Sequence, residues 1–149
     1  TRKESAKIIE QYFIEFPKVK DYIDRSILIA QKNEYVETIL GRKRYLKNIN
    51  SRNAMIRGFS ERNAINAPIQ GSAADIIKKA MIDIQKEIEK HKLKSKMLLQ
   101  VHDELVFDMR KDEEDKLRKL VKEKMENTIN LSVPLVVDIE VGENWLEAH

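Results

Sequence analysis

The stretch KMLLQVHDELVFDM, residues 96–109, contains two short apolar runs around a polar centre. The runs are Lys96 to Val101 and Leu105 to Met109, and both are rich in residues that favour strands. The residues between them, His102, Asp103 and Glu104, are short and polar, as a tight turn requires. The pattern therefore predicts an antiparallel hairpin with two adjacent acids at its turn.

Helical patterns flank this hairpin on both sides. Ser72 is a predicted N-cap for a long amphipathic helix that runs toward His91. A second helix is predicted from Asp112 to Asn127, because its first turn is acidic and its later turns are rich in lysine, which complements the helix dipole. The apolar run Leu135 to Val141 predicts a buried third strand. This half is predicted to be α+β, with a small antiparallel sheet packed on helices.

The upstream half is predicted to be mainly helical with one small basic hairpin. Apolar spacing indicates a helix from Glu4 to Glu15, and Pro17 favours the start of a second helix that ends near Asn33. The β-rich residues 35–40, the turn residue Gly41 and residues 42–46 predict the hairpin.

A third helical pattern runs from Asn53 to about Ile69, where Pro68 and Gly71 are expected to interrupt it. The polar stretch Lys47 to Ser51 between hairpin and helix is interpreted as a linker between two lobes.

Charge is concentrated in one segment. The chain has 149 residues, the usual size of one domain, and a net charge of only +3. Between positions 42 and 62 seven basic residues stand against the single acid Glu61. These basic residues are Arg42, Lys43, Arg44, Lys47, Arg52, Arg57 and Arg62. Such a segment suits a polyanion, although a solvated basic loop has the same composition.

Composition also excludes several classes of protein. The chain has no cysteine, so it forms neither disulfides nor thiolate metal sites, and a reducing cytoplasmic location is expected. No apolar run approaches the roughly 20 residues that span a bilayer, so no membrane partner is expected. The chain starts at Thr1 within a helical pattern, which suggests a segment of a longer protein, although removal of an initiator methionine would give the same start.

The two acids at the predicted turn have two interpretations. Asp103 and Glu104 are ordinary turn residues in one of them. In the other, the rigid hairpin presents a carboxylate to Mg²⁺, which prefers fixed oxygen ligands. Successive strand side chains point to opposite faces, so one acid is expected to be a ligand and the other its neighbour. A two-metal site for phosphoryl transfer would need a further carboxylate from elsewhere.

Several motifs together resemble one family. Residues 100–108 (QVHDELVFD) are similar to motif C of the family A DNA polymerases, the DNA polymerase I type. Residues 61–75 (ERNAINAPIQGSAAD) resemble the segment that precedes motif C in that family. Residues 142–149 and the basic hairpin also fit, in order along nearly the whole chain. Lys47 departs from the pattern, since the family often has proline after the corresponding Tyr-Leu.

The resemblance implies roles for matching residues. It implies that Asp103 is a catalytic carboxylate that shares Mg²⁺ with an upstream aspartate, and that Glu104 is its less essential catalytic neighbour. Nucleic-acid-binding roles are implied for five residues: Arg57, Arg62, Asn66, Gln70 and His102. Taken singly, Arg62 is more often a surface salt-bridge partner, Gln70 a helix-end residue and His102 a packed or solvated histidine.

The resemblance also implies an organisation and an activity. Residues 1–50 would be the remainder of a fingers subdomain, and residues 51–149 a partial palm subdomain containing motif C. The parent would be a DNA-directed DNA polymerase that uses Mg²⁺, primer-template DNA and deoxynucleoside triphosphates in DNA replication and repair. The family's first catalytic aspartate and its nucleotide-binding helix have no counterpart here, so the isolated fragment is expected to be inactive, with an incomplete two-metal site.

A fragment is also expected to self-associate, because a missing palm strand would leave apolar surface or a sheet edge uncovered. The alternatives are a non-catalytic nucleic-acid-binding module, in which the acidic turn has no chemical role, and a structural helical adaptor.

Overall fold

The computed structural model describes residues 1–148, so His149, the last residue of the carboxyl-terminal match, lies outside them. The chain divides into two compact units, Thr1–Ala73 and Ala74–His149. The fold is α+β, as predicted, with helices and two small antiparallel sheets. The division between the units falls at 73/74, whereas the subdomain boundary was predicted at 50/51. The assignment of fingers and palm to these ranges remains a prediction.

Two helices begin unit 1. Helix α1 spans Arg2–Glu15 and starts with a capping box, in which the Thr1 hydroxyl accepts from the Glu4 amide. Helix α2 spans Pro17–Asn33, with proline at its first turn, where a missing N–H costs nothing. It ends at Glu34 in the left-handed region (φ 60°). The predicted pair of helices with a break at Pro17 is therefore confirmed.

The small basic hairpin is also confirmed. Strand β1 (Tyr35–Glu37) pairs with β2 (Lys43–Tyr45), and Val36 lies opposite Arg44. Gly41 in the connecting loop has φ +80°, a conformation that glycine adopts at low cost.

The predicted linker at Lys47–Ser51 is wrong, because this segment belongs to the core of unit 1. Ile49 is fully buried, and its amide donates to the carbonyl of Leu46 at 2.9 Å. The Asn50 side chain donates to the carbonyl of Gln31 at 3.0 Å. The buried residues of this core are Ala30, Val36, Leu46, Ile49 and Ala64. The polar residues of the segment therefore form turns around a buried isoleucine.

The predicted interruption near Pro68 is also wrong. Helix α3 runs without a break over Ala54–Lys90 and contains Pro68. Its cap is Asn53, whose side-chain oxygen accepts from the Met55 amide at 2.9 Å. Ser72 lies inside the helix and is not an N-cap. Its hydroxyl donates to the Pro68 carbonyl and accepts from the Ile39 amide. The hairpin of β1 and β2 therefore hydrogen-bonds to α3 one turn after Pro68. The sequence pattern alone could not show this contact between distant residues.

Unit 2 contains the second hairpin and its helical support. Strand β3 (Lys96–Val101) pairs with β4 (Glu104–Asp108) in antiparallel register. A short 3₁₀ turn, Lys111–Glu113, leads into helix α4 (Glu114–Glu126). The core of the unit consists of Ile84, Ile88, Leu117, Leu120 and Val121, with Leu105 and Phe107 packed against it. The hairpin and both flanking helices of this half are therefore confirmed.

The third strand predicted at 135–141 is absent from the described residues. The chain there is extended, with side chains that alternate between partly buried and exposed from Leu135 to Glu140. Its backbone bonds to side chains of α4 instead of to a strand. The Val137 amide donates to Glu126 at 3.2 Å, and Arg118 donates to the carbonyl of Ile139 at 3.3 Å. The apolar pattern was correct for a half-covered segment, but the neighbour of this segment is helix α4 and not a strand.

In the part of the chain that the structure describes, no helix is long and apolar enough to cross a membrane.

Candidate functional site

The turn of the β3–β4 hairpin holds only one of the two acids predicted there, since Asp103 lies in the turn and Glu104 is the first residue of β4. Val101 lies opposite Glu104, so the connection consists of His102 and Asp103 alone. His102 adopts φ +53°, a left-handed conformation that is uncommon for residues other than glycine. The Gln100 side chain donates to the carbonyl of His102 at 2.7 Å and so ties the turn to β3. A short, constrained turn thus presents the side chains of His102 and Asp103, both of which are exposed.

The two acids differ in their surroundings. The Asp103 carboxylate is exposed and has no hydrogen-bond or ion-pair partner among residues 1–148. Glu104 is partly buried, and its Oε1 accepts a hydrogen bond from the indole Nε1 of Trp145 at 3.3 Å. One acid is thus available to an external ligand, and the other is engaged within the fold.

The fit of the turn to a divalent cation is partial. Carboxylate oxygens are the ligands that Mg²⁺ prefers, and Asp103 offers such a group at the tip of a constrained hairpin. No group of three or more His, Cys, Asp or Glu side chains that could hold a metal occurs within residues 1–148. The described residues therefore provide one carboxylate ligand for a hard metal ion, and the remaining ligands would have to come from elsewhere.

A partly buried carboxylate, that of Glu113, anchors the far end of the same hairpin. The Glu113 carboxylate accepts from the amides of Lys94 and Ser95, both at 2.8 Å, and from the Ser95 hydroxyl at 2.6 Å. Ser95 is 1% exposed, and its Oγ also accepts from the Arg110 amide at 3.0 Å. The hydrogen bonds from the Ser95 side chain and the Lys94 backbone lower the pKa of Glu113 to about 2. Sequence inspection missed this anchor, because a glutamate at the start of a helix has a sufficient explanation in the helix dipole.

Three of the four predicted nucleic-acid-binding residues of α3 share one helix face. Arg62, Asn66 and Gln70 are spaced four residues apart, which places them in a row along the helix, and all three are exposed. The Arg62 guanidinium lies 6.0 Å from the centre of the Phe59 ring, and Phe59 is itself 63% exposed. This row presents three exposed polar side chains, with an exposed aromatic residue at its amino-terminal end.

Two of the simpler interpretations of these residues do not hold. Arg62 forms no ion pair with another described residue, and the neighbouring Glu61 pairs instead with Arg57 at 3.5 Å. Gln70 lies in the interior of α3 and not at a helix end. His102 is exposed, which agrees with a solvated histidine as well as with a ligand-facing one.

Arg57 is more engaged within the fold than the other predicted residues. Its Nη1 donates to the carbonyl of Ser51 at 3.0 Å, and its Nε faces the carboxylate of Glu61. These contacts use part of its donor capacity and offset part of its charge.

Part of the basic segment also serves the fold of unit 1. Arg42 donates to the carbonyl of Gly71 at 3.1 Å, and Arg44 donates to the side chain of Asn63 at 3.2 Å. The Lys43 ammonium lies 4.3 Å from the centre of the Tyr35 ring. A hydrogen bond with Tyr35 raises the pKa of Lys43. Arg42 and Arg44 therefore attach the β1–β2 hairpin to α3. Counting charges in the sequence could not distinguish this role from that of a solvated basic loop.

The predicted site residues form two groups. Arg57, Arg62, Asn66 and Gln70 belong to unit 1, and His102, Asp103 and Glu104 belong to unit 2. In the first unit Arg62, Asn66 and Gln70 share one face of α3, while Arg57 lies on another; in the second unit the residues lie at the turn and at the start of β4. Trp145, which contacts the acidic turn through Glu104, was not identified as a site residue from the sequence.

Comparison with known proteins places this arrangement among polymerases. The family model for DNA polymerase family A matches residues 1–147. DNA polymerase I of Caldicellulosiruptor bescii is 49% identical over 147 residues, and DNA polymerase I of Geobacillus stearothermophilus is 51% identical over 148 residues. Each match covers 99% of this chain and 17% of the relative, so the chain spans about a sixth of their length.

A solved structure is also similar to this chain. It is the POL domain of Pol1 from M. smegmatis, in complex with DNA primer-template and dNTP. The match has a TM-score of 0.97 at 46% sequence identity and covers 99% of this chain and 26% of that one.

Proposed function

Because this chain belongs to the family A DNA polymerases, we propose that it is a part of a DNA-directed DNA polymerase that catalyses template-dependent nucleotidyl transfer to a primer 3′ end. The observation that carries the proposal is the exposed Asp103 carboxylate at a constrained hairpin turn, within a chain that matches the family over nearly its whole length. The substrates would be primer-template DNA and deoxynucleoside triphosphates, which the solved relative holds.

Asp103 would be the residue of this chain that holds a catalytic Mg²⁺, and Glu104 would be its neighbour. A bound divalent ion acts as a Lewis acid on phosphoryl oxygens and offsets the charge that develops on them. The hairpin would contribute fixed geometry, because the turn is tied by Gln100 and the start of β3 by Glu113. Preorganised carboxylates avoid the reorganisation that flexible ones would need during the reaction.

The exposed row of α3 would meet the primer-template. Arg62 and Gln70 carry donors that suit the minor groove, where the acceptor pattern is shared by all correct base pairs. Asn66 would shape the same surface, His102 would lie beside the primer terminus, and Arg57 would meet backbone phosphate with its remaining donors. Contacts of this kind sense the geometry of a base pair and not its sequence.

The 149-residue chain by itself is expected to show no nucleotide incorporation. Its described residues contain no cluster of three metal-ligating side chains, so the charge on a transferring phosphoryl group would lack most of its stabilisation. Activity in a template-dependent extension assay above that of a preparation carrying Asp103→Ala would contradict this expectation.

The decisive experiment compares Asp103→Ala with the unchanged sequence in a full-length polymerase that contains this chain. Primer extension is expected to fall by several orders of magnitude while DNA binding persists. Asp108→Ala is the matched control, because Asp108 is an exposed carboxylate on the same hairpin, and it should retain extension. Survival of extension in Asp103→Ala would instead favour a non-catalytic nucleic-acid-binding module built on the α3 face.

A further inference from the structure

Trp145 links the carboxyl-terminal segment to the acidic turn. It is the only tryptophan of the chain, and its indole N–H donates to Glu104 Oε1 at 3.3 Å. The indole is 47% exposed, so packing alone does not account for its position. Its bond joins positions 41 residues apart in the sequence.

The segment that carries Trp145 is closed by internal hydrogen bonds and paired with Lys111 through Glu143. The Glu147 carboxylate accepts from the Glu143 amide at 3.1 Å and from the Asn144 side chain at 2.8 Å, which closes residues 143–147 into a turn. Glu143 in turn pairs with Lys111 at 2.9 Å, just ahead of α4. The indole is therefore presented to Glu104 from a braced turn and not from a free tail.

This contact distinguishes the two neighbouring acids, because Glu104 accepts a hydrogen bond from the indole and Asp103 does not. The indole N–H holds the Glu104 side chain toward Trp145, so its carboxylate would have to reorient before it could share a cation with Asp103. Asp103 has no such partner among the described residues. We propose that Trp145 is a positioning residue whose indole N–H holds the Glu104 carboxylate, so that Asp103 alone of the two acids is presented to a divalent cation. The cation part of this inference rests on the metal role proposed for Asp103.

The single tryptophan gives a direct test of the contact. In a ¹⁵N-correlated NMR spectrum of the 149-residue chain, the indole N–H of Trp145 gives one resolvable signal. Glu104→Ala is expected to shift that signal and to accelerate its exchange with solvent, whereas Asp103→Ala should leave both unchanged. An indole signal that ignores Glu104→Ala would overturn the inference.

A second measurement tests the consequence for cation binding. Mn²⁺ added alone broadens amide signals near the place where it binds, which gives an apparent affinity for the turn. Trp145→Phe keeps the ring but removes the N–H. It is expected to raise that affinity roughly two- to tenfold, the effect of releasing one hydrogen bond. The gain should disappear in Trp145→Phe combined with Glu104→Gln, an effect that a merely structural tryptophan would not produce.

The outcomes separate the two proposals. An affinity that Trp145→Phe leaves unchanged, or a gain that survives the added Glu104→Gln, would overturn the positioning role. Broadening at the turn that persists in Asp103→Ala would overturn the proposed metal role of Asp103, whatever the indole signal shows.

Discussion

At the level of single residues, Glu113 shows how one carboxylate organises the start of a strand. It accepts hydrogen bonds from three donors of residues 94 and 95, just before β3 begins. These bonds favour the ionised form and lower the pKa of Glu113 from its ordinary 4.5 to about 2. The hairpin that carries Asp103 is therefore anchored by an ionised glutamate at neutral pH.

The first prediction concerns the pH dependence of stability. Because the folded pKa of Glu113 lies below the unfolded one, its contribution is complete above about pH 4.5 and is lost as the pH falls toward 2. Glu113→Gln should lower the free energy of unfolding at pH 7 and flatten its decline below pH 4.5, as measured by urea unfolding at several pH values. Glu10→Gln, at an exposed position of α1, is the control and should change neither. Equal pH profiles for Glu113→Gln and the unchanged chain would contradict the anchor.

The second prediction concerns Arg62 in a full-length polymerase. If Arg62 contacts the minor groove near the primer end, Arg62→Ala should reduce the preference for matched over mismatched primer termini by about 1–3 kcal/mol, the usual contribution of one base-edge contact. Single-turnover extension of matched and mismatched primers measures this preference. Arg25→Ala removes the same charge from an exposed position of α2 and should leave the preference unchanged. Equal effects of the two substitutions would indicate a general electrostatic role.

At the level of elements, α3 depends on small residues where the hairpin of β1 and β2 approaches it. A Cβ added at Gly71 would lie 2.6 Å from the Thr38 methyl carbon, so a side chain there forces a neighbour to move. A Cβ at Gly58 would meet only the Arg62 side chain, at 3.8 Å. A side chain is therefore excluded sterically at Gly71, whereas there is room for one at Gly58.

The third prediction uses this pair. Gly58→Ala should raise the free energy of unfolding by about 0.5–1 kcal/mol, because alanine favours a helix interior. Gly71→Ala gains the same helix propensity but should lose about 1–3 kcal/mol to overpacking against Thr38. Thermal or urea unfolding of both variants gives the comparison. A Gly71→Ala variant as stable as Gly58→Ala would show that the hairpin can move away from α3 at little cost.

At the level of the whole molecule, helix α1 leaves apolar surface uncovered. The helix has no buried residue, and Ile8, Ile9 and Tyr12 on one side of it, together with the C-cap residue Phe16, are 48–66% exposed. Contiguous apolar surface of this kind favours association in water. The 149-residue chain is therefore expected to self-associate.

The fourth prediction tests that association. Light scattering across a concentration series should show a mass that rises with concentration. Ile8→Lys combined with Ile9→Lys should shift the chain toward monomer, because it places two charges on the apolar side of α1. Glu10→Lys, on the other side of the helix, should leave the association in place. A strictly monomeric unchanged chain would contradict the prediction.

The sequence by itself determined the elements whose signals are local. Two short apolar runs around a polar turn predicted the β3–β4 hairpin, Pro17 predicted the start of α2, and the acidic-to-basic order of residues 112–127 supported the prediction of helix α4. Its motifs also identified the family, because the spacing of QVHDELVFD and ERNAINAPIQGSAAD is specific. The acids of the turn were found in this way, although their roles remain proposals.

Only the tertiary structure decided the features that depend on distant partners. It kept α3 continuous through Pro68, since the buried Ala64 and the hairpin bonds to Ser72 and Gly71 lie on the same stretch of helix. It left residues 135–141 without a strand partner, because side chains of α4 bond their backbone. It also distinguished Glu104 from Asp103 through a tryptophan 41 residues away. A local sequence pattern indicates the propensity of a segment for helix or strand. The three features above depend instead on which distant residues pack beside the segment.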